Sequence, residues 1–66
     1  MPTIKELRKA KNLSRTRVAA DLDMSERHLH RLETGQSPLR RVLAHAFADY
    51  YGIPVEKIDH QEEVVA

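Results

Sequence analysis

Arg27 and Arg31 stand four residues apart in a stretch whose apolar members, Leu29 and Leu32, fall at helical spacing. Successive side chains on a helix turn by about 100°, so a core direction midway between Leu29 and Leu32 leaves both arginines almost opposite it, with His30 and Thr34 beside them. A guanidinium donates two parallel hydrogen bonds to one planar acceptor, which can be a carboxylate, a phosphate or the major-groove edge of guanine. Glu26, in the first turn, lies nearer the core edge. Its carboxylate could accept from a donor such as cytosine N4 or complement the helix dipole.

Other chemistries find less support. The four histidines do not share a ligand spacing: His28 and His30 point in different directions on one helix, and His45 and His60 have no acidic or sulfur partner at a useful distance in sequence. No metal or other cofactor is expected. There is no cysteine, no Gly-rich phosphate loop and no serine in a nucleophile-elbow context, so the chain is not read as an enzyme. Phe47, Tyr50 and Tyr51 could form a stacking platform for RNA, but they lie far from the basic helix and suit a core and a dimer surface better.

Short helices must position these residues. Thr3 and Glu6 have capping-box spacing, which predicts a first helix from near Ile4, with Ile4, Leu7 and Ala10 inward, ending around Lys11 and Asn12. Leu13 closes the loop. Ser14 caps a second helix through about Leu22 that buries Val18, Ala19 and Leu22. After a short break at Asp23 and Met24, Ser25 caps the arginine-bearing helix, which stops at Gly35. Ser37 and Pro38 read as cap and first position of a fourth helix with Val42, Leu43, Ala46, Phe47 and Tyr50 inward, ending at Gly52. Pro54 opens a fifth over Val55 and Ile58. On the 100° construction Arg8 and Glu33 each lie about 70° from the centre of their helix's apolar stripe, which favours a partly buried structural ion pair.

A chain of 66 residues builds one domain at most, and without cysteine it must rest on helix packing. No apolar run approaches the roughly 20 residues of a membrane span, and the N-terminus has no signal-peptide pattern, so a cytoplasmic protein is expected. Net charge is +1, but it is unevenly spread. Residues 1–55 hold ten Lys or Arg against six Asp or Glu, whereas residues 56–66 hold Lys57 against Glu56, Asp59, Glu62 and Glu63. A basic body, 1–58, and an acidic tail, 59–66, are therefore distinguished. The tail reads as disordered or as a segment that binds a second copy or a partner.

The stretch LSRTRVAADLDMSERHLHRLETG at residues 13–35 closely resembles the helix-turn-helix of the lambda-repressor/Cro (Xre-like) family, and the likeness runs from Ile4 to Ile58. It rests on the Leu-Ser start, Val-Ala-Ala in the second helix, the Met-Ser turn and the closing Leu-x-x-Leu-Glu-x-Gly. Asp23 stands where the family usually has glycine, which asks an aspartate to take up left-handed backbone. Arg15 stands where many members have glutamine.

The resemblance implies an all-α, compact five-helix lambda-repressor-like DNA-binding domain whose third helix, about 26–34, enters the major groove of double-stranded DNA. Glu26, Arg27, His30 and Arg31 become the expected base readers. Backbone phosphates are expected at Arg15, Thr16 and Arg17, at Ser25 and His28, at Gln36 and Ser37 through exposed N–H groups, and at Arg40 and Arg41. Members of the family commonly bind near-palindromic sites as homodimers. Here the fifth helix, Tyr51, Val64 and Val65 are the candidate interface. A bacterial or phage-type transcriptional repressor is the leading reading. An antitoxin-type regulator that also binds a protein through its acidic tail, or an adaptor without DNA binding, are the alternatives.

Overall fold

The computed structural model describes residues 1–61, which form four α-helices and one 3-10 turn with no strand among them. Helix α1, Ile4–Ala10, begins at Thr3, whose hydroxyl accepts the Glu6 N–H at 3.2 Å while the Glu6 carboxylate accepts the Thr3 N–H at 3.3 Å. This reciprocal cap satisfies two donors that the first turn would otherwise leave unpaired. Lys11 ends the helix and Asn12 turns the chain with φ 55°.

Helices α2, Arg15–Asp21, and α3, Glu26–Thr34, start in the same way, with Ser14 accepting the Arg17 N–H at 3.1 Å and Ser25 the His28 N–H at 3.0 Å. Between them Asp23 has φ 55°, the left-handed conformation its position requires, and the Met24 N–H returns to the Ala19 carbonyl at 2.9 Å. The turn is thus closed by backbone bonding although a non-glycine residue carries the left-handed geometry. Gly35, with φ 83°, ends α3.

The fourth helix starts later than sequence spacing predicts. Helix α4 is Arg41–Tyr51, with Arg40 rather than Ser37 at its cap and no side-chain cap bond. Residues 36–40 instead form a connector that sends Leu39 into the core, offers its carbonyl to the Gln61 N–H at 2.7 Å and pairs Arg40 with Gln61 in an isolated parallel bridge. Burial of Leu39 and pairing of its carbonyl outweigh the local preference of Pro38 for a first helical position. The buried face of α4 is Ala44, Phe47, Ala48 and Tyr51, and Val42, expected inward, is 72% exposed.

The expected fifth helix is a single 3-10 turn, Val55–Lys57. Ile58 is already extended, and the Asp59 N–H goes to the Pro2 carbonyl at 2.9 Å rather than continuing a helix. Val55 and Ile58 are buried as expected. One core joins Ile4 of α1, Val18 and Ala19 of α2, Leu29 and Leu32 of α3, Leu39, the inner face of α4, Val55 and Ile58. Phe47, Leu29, Val18 and Ile58 are the largest side chains sealed from solvent. Burying a side chain of this size stabilises by roughly 1.5–3 kcal/mol, which is how so short a chain holds α3 in place without a disulfide.

Tyr51 and the C-terminal turn were expected at a dimer surface, but Tyr51, Val55 and Ile58 are consumed by the domain's own core. Val64 and Val65 lie outside the described residues, as does the acidic pair Glu62 and Glu63. The stacking platform is likewise absent: Phe47 and Tyr51 are buried and stack with centroids 6.3 Å apart, and Tyr50 packs edge-on against Tyr51 at 5.1 Å.

Candidate nucleic-acid interface

Leu29 and Leu32 anchor α3 to the core, and the opposite side of the helix is open. Glu26, Arg27, His28, His30 and Arg31 are all exposed. Two adjacent rows result, each with its members one turn apart: Glu26 with His30, on the side toward α2, and Arg27 with Arg31 beyond them. Thr34 follows the first row, but its hydroxyl donates back to the His30 carbonyl at 3.0 Å. The charged part of the face is therefore the first two turns.

Helix α2 holds the first row. The Thr16 hydroxyl donates to Glu26 Oε2 at 3.1 Å, and the Arg15 guanidinium is bonded to His30 Nδ1. An arginine can only donate, so Nδ1 accepts and the proton of the neutral ring sits on Nε2. In this arrangement His30 offers a donor at its free end and Glu26 keeps Oε1 as an acceptor. Arg27 and Arg31 have no such tether among the described residues, so the two rows differ in that respect as well as in charge.

The residues expected at the phosphate backbone fall into several environments. Arg15 is half-buried against His30, and Arg17 Nε donates to Asp21 Oδ2 at 3.0 Å within α2. Ser25 caps α3, and Arg41 reaches Glu56 at 3.4 Å. Gln36 and Arg40 are exposed. The Ser37 N–H, expected to be available, donates to the Arg31 carbonyl at 3.1 Å, because the helix N-terminus it was assigned to lies at Arg41.

Beneath the face lies the Arg8–Glu33 pair. Arg8 Nε and Nη2 donate to the two Glu33 oxygens at 2.7 and 3.1 Å, and Nη1 donates to the Leu13 carbonyl at 2.9 Å. The side chains are 11% and 2% exposed, so the pair is a largely buried fork-to-fork clamp between α1 and α3. The bond to Glu33 holds Arg8 still more firmly protonated than usual, against the opposing effect of burial. Sequence spacing placed both residues at the core edge but carried no sign of the third bond, to Leu13.

A cleft of about 480 Å³ opens above this clamp, walled by Lys5 and Lys9 of α1, Ser14, Arg15 and Thr16 at the start of α2, and Glu26, His30 and Thr34 of α3. A second, shallower concavity shares Arg15, Glu26 and His30 and extends to Arg27. Lys5 and Lys9 were not among the sequence-derived candidates. Their four-residue spacing on the polar side of α1 was visible, but nothing in it told which neighbour that side would face. Among the described residues no group of three or more His, Cys, Asp or Glu could hold a metal ion, and no helix is long and apolar enough to cross a membrane.

A family model described as a helix-turn-helix domain fits residues 3–61. No curated protein and no solved structure matches the chain.

Proposed function

The chain belongs to the helix-turn-helix domain family, of the Xre/lambda-repressor-like DNA-binding kind, and on that premise we propose that it is a sequence-specific transcriptional repressor. The observation that carries this reading is the outer face of α3, where Glu26, Arg27, His30 and Arg31 are exposed together while Leu29 and Leu32 lock the helix to the core. Arg27 and Arg31 read guanine through paired donors, worth roughly 1–3 kcal/mol of discrimination for each good contact. His30 adds a donor and Glu26 an acceptor suited to cytosine N4.

Phosphates are engaged by the flanking set Arg15, Thr16, Arg17, Ser25, His28, Gln36, Ser37, Arg40 and Arg41, with Ser37 contributing its side chain. Contacts of this kind set register and carry little base information. Two copies bind a near-palindromic operator with half-sites about 34 Å apart, the length of one helical turn. A domain this small represses by occupying the site that polymerase needs.

Selection of bound sequences from a random duplex library at near-physiological salt tests the reading, repeated with Arg27 and Arg31 both replaced by alanine. A palindromic motif that the double variant loses is the expected result. Binding without any motif, abolished by modest salt, would reduce the contact to general electrostatics and overturn the proposal.

A further inference from the structure

We propose that Lys5 and Lys9 of α1 form a second phosphate-binding wall, so that the sugar-phosphate strand beside the groove read by α3 runs through the cleft between α1 and α3. The inference rests on the DNA-binding reading above and extends its footprint to a helix that reading leaves out. Lys5 and Lys9 are both exposed, lie one turn apart on the same side of α1 and take part in none of the ion pairs found among the described residues. They face Arg15 across the cleft.

The charge of the cleft favours a polyanion. Four cations, Lys5, Arg8, Lys9 and Arg15, line it against two carboxylates; Arg8 and Glu33 offset one another, which leaves Lys5, Lys9 and Arg15 against Glu26. The balance is positive. The cleft also does not end at its own walls, because Arg15, Glu26 and His30 belong equally to the concavity that reaches Arg27. A continuous track from Lys9 to Arg27 fits an extended strand better than a small isolated anion, and it places the phosphates of that strand alongside the bases that Arg27 would read. Two ammonium groups on flexible stems suit this task, since they act as point charges that tolerate variation in backbone position.

Counterion release supplies the test. Each phosphate neutralised contributes about 0.9 to the slope of log K against log salt on duplex DNA. The duplex carrying the selected motif is titrated with the intact chain, with Lys5→Gln combined with Lys9→Gln, and with Lys57→Gln as a control on the 3-10 turn, between 50 and 200 mM salt. The double variant should lose about 1.8 from the slope, equivalent to roughly 60-fold weaker binding at 0.1 M salt if the lines converge near 1 M, while selecting the same motif and keeping its thermal midpoint. Lys57→Gln should leave the slope as it is. A double variant with the parental slope on the same motif overturns the inference and leaves the DNA-binding reading standing. A loss of about 0.9 from the slope in Lys57→Gln, the share of one lysine, also overturns it, since net charge alone would then account for the effect. Failure of the intact chain to bind any duplex overturns both.

Discussion

The Tyr50 hydroxyl donates to Asp21 Oδ2 at 2.6 Å, and Arg17 Nε donates to that same oxygen at 3.0 Å. The arrangement ties α4 to the end of α2 and so to the turn that sets the angle of α3. It requires a charged Asp21 and a protonated Tyr50, and both titrations shift accordingly. The bond from Tyr50 and then that from Arg17 hold the Asp21 carboxyl below its ordinary range, while the bond to Asp21 holds the Tyr50 phenol above its own.

A pH dependence follows. For Asp21, lowered in the folded state, the stabilisation is complete above the ordinary carboxylate range and is lost as pH falls through the lowered value. For Tyr50, raised in the folded state, it is complete below the ordinary phenol range and is lost as pH rises through the raised value. Tyr50→Phe should therefore lower the melting midpoint at neutral pH and flatten its dependence on pH at the acid end. A parallel downward shift at every pH would mean that Tyr50 contributes packing alone.

Tyr51, next in the chain, behaves differently. Its hydroxyl is buried and has no hydrogen-bond partner among the described residues. Burial, reinforced by the nearby Glu33 charge, pushes the phenol up to about 12. Tyr51→Phe removes a polar atom that the interior leaves unsatisfied, so it should be neutral or stabilise by up to about 1 kcal/mol in urea melts. It should also reduce alkaline unfolding, because the advantage of holding the proton in the folded state is complete below the ordinary phenol range and is lost as pH rises from there through about 12. A loss above 1 kcal/mol would show that the hydroxyl has a role in packing.

The Arg8–Glu33 clamp is the most exacting contact in the domain. Arg8→Ala leaves a carboxylate that is 2% exposed without its partner. Breaking a buried pair in this way costs about 3–5 kcal/mol, against a total of roughly 3–10 kcal/mol for a chain of this size. The variant should show a greatly weakened or absent cooperative transition by circular dichroism, and Arg8→Met with Glu33→Leu should restore most of it. An Arg8→Ala midpoint near the parental one would mean that water reaches Glu33 readily.

Specificity should respond to Arg15 as well as to the arginines of α3. With Arg15→Ala, His30 Nδ1 loses the donor that fixes which end of the ring carries its proton. Repeating the library selection should show discrimination at one operator position falling about tenfold, within the span of a single base contact, while the guanines assigned to Arg27 and Arg31 stay. Uniform weakening with an unchanged motif would return Arg15 to the backbone set.

Much of this was legible in the sequence because the signals were local. Thr3 with Glu6, Ser14 and Ser25 announce helix starts through side chains that bond within three residues, and all three do so. Gly35 and Gly52 mark ends through backbone freedom, and Leu29 and Leu32 orient α3 by periodicity alone. What escaped depends on distant residues. Ser37 and Pro38 look like a helix start, but Leu39 is drawn inward and held by Gln61, and Val42 lies at the surface because the rest of the domain packs against Ala44, Phe47, Ala48 and Tyr51 instead. The partners of Tyr50 and Arg15 are equally non-local, 29 and 15 positions away in sequence. The same holds for the candidate interface: helical spacing was enough to expose Arg27 and Arg31, whereas bringing Lys5 and Lys9 to the edge of their face required the packing of α1.

The bond between the Asp59 N–H and the Pro2 carbonyl brings the two ends of the folded region side by side. Polypeptide joined ahead of Pro2 or behind Gln61 would leave the domain from points only a few residues apart, so the unit can be spliced into a surface loop of another protein without stretching its host. Linking those ends and reopening the chain elsewhere would yield a circular permutant with the same outer face on α3.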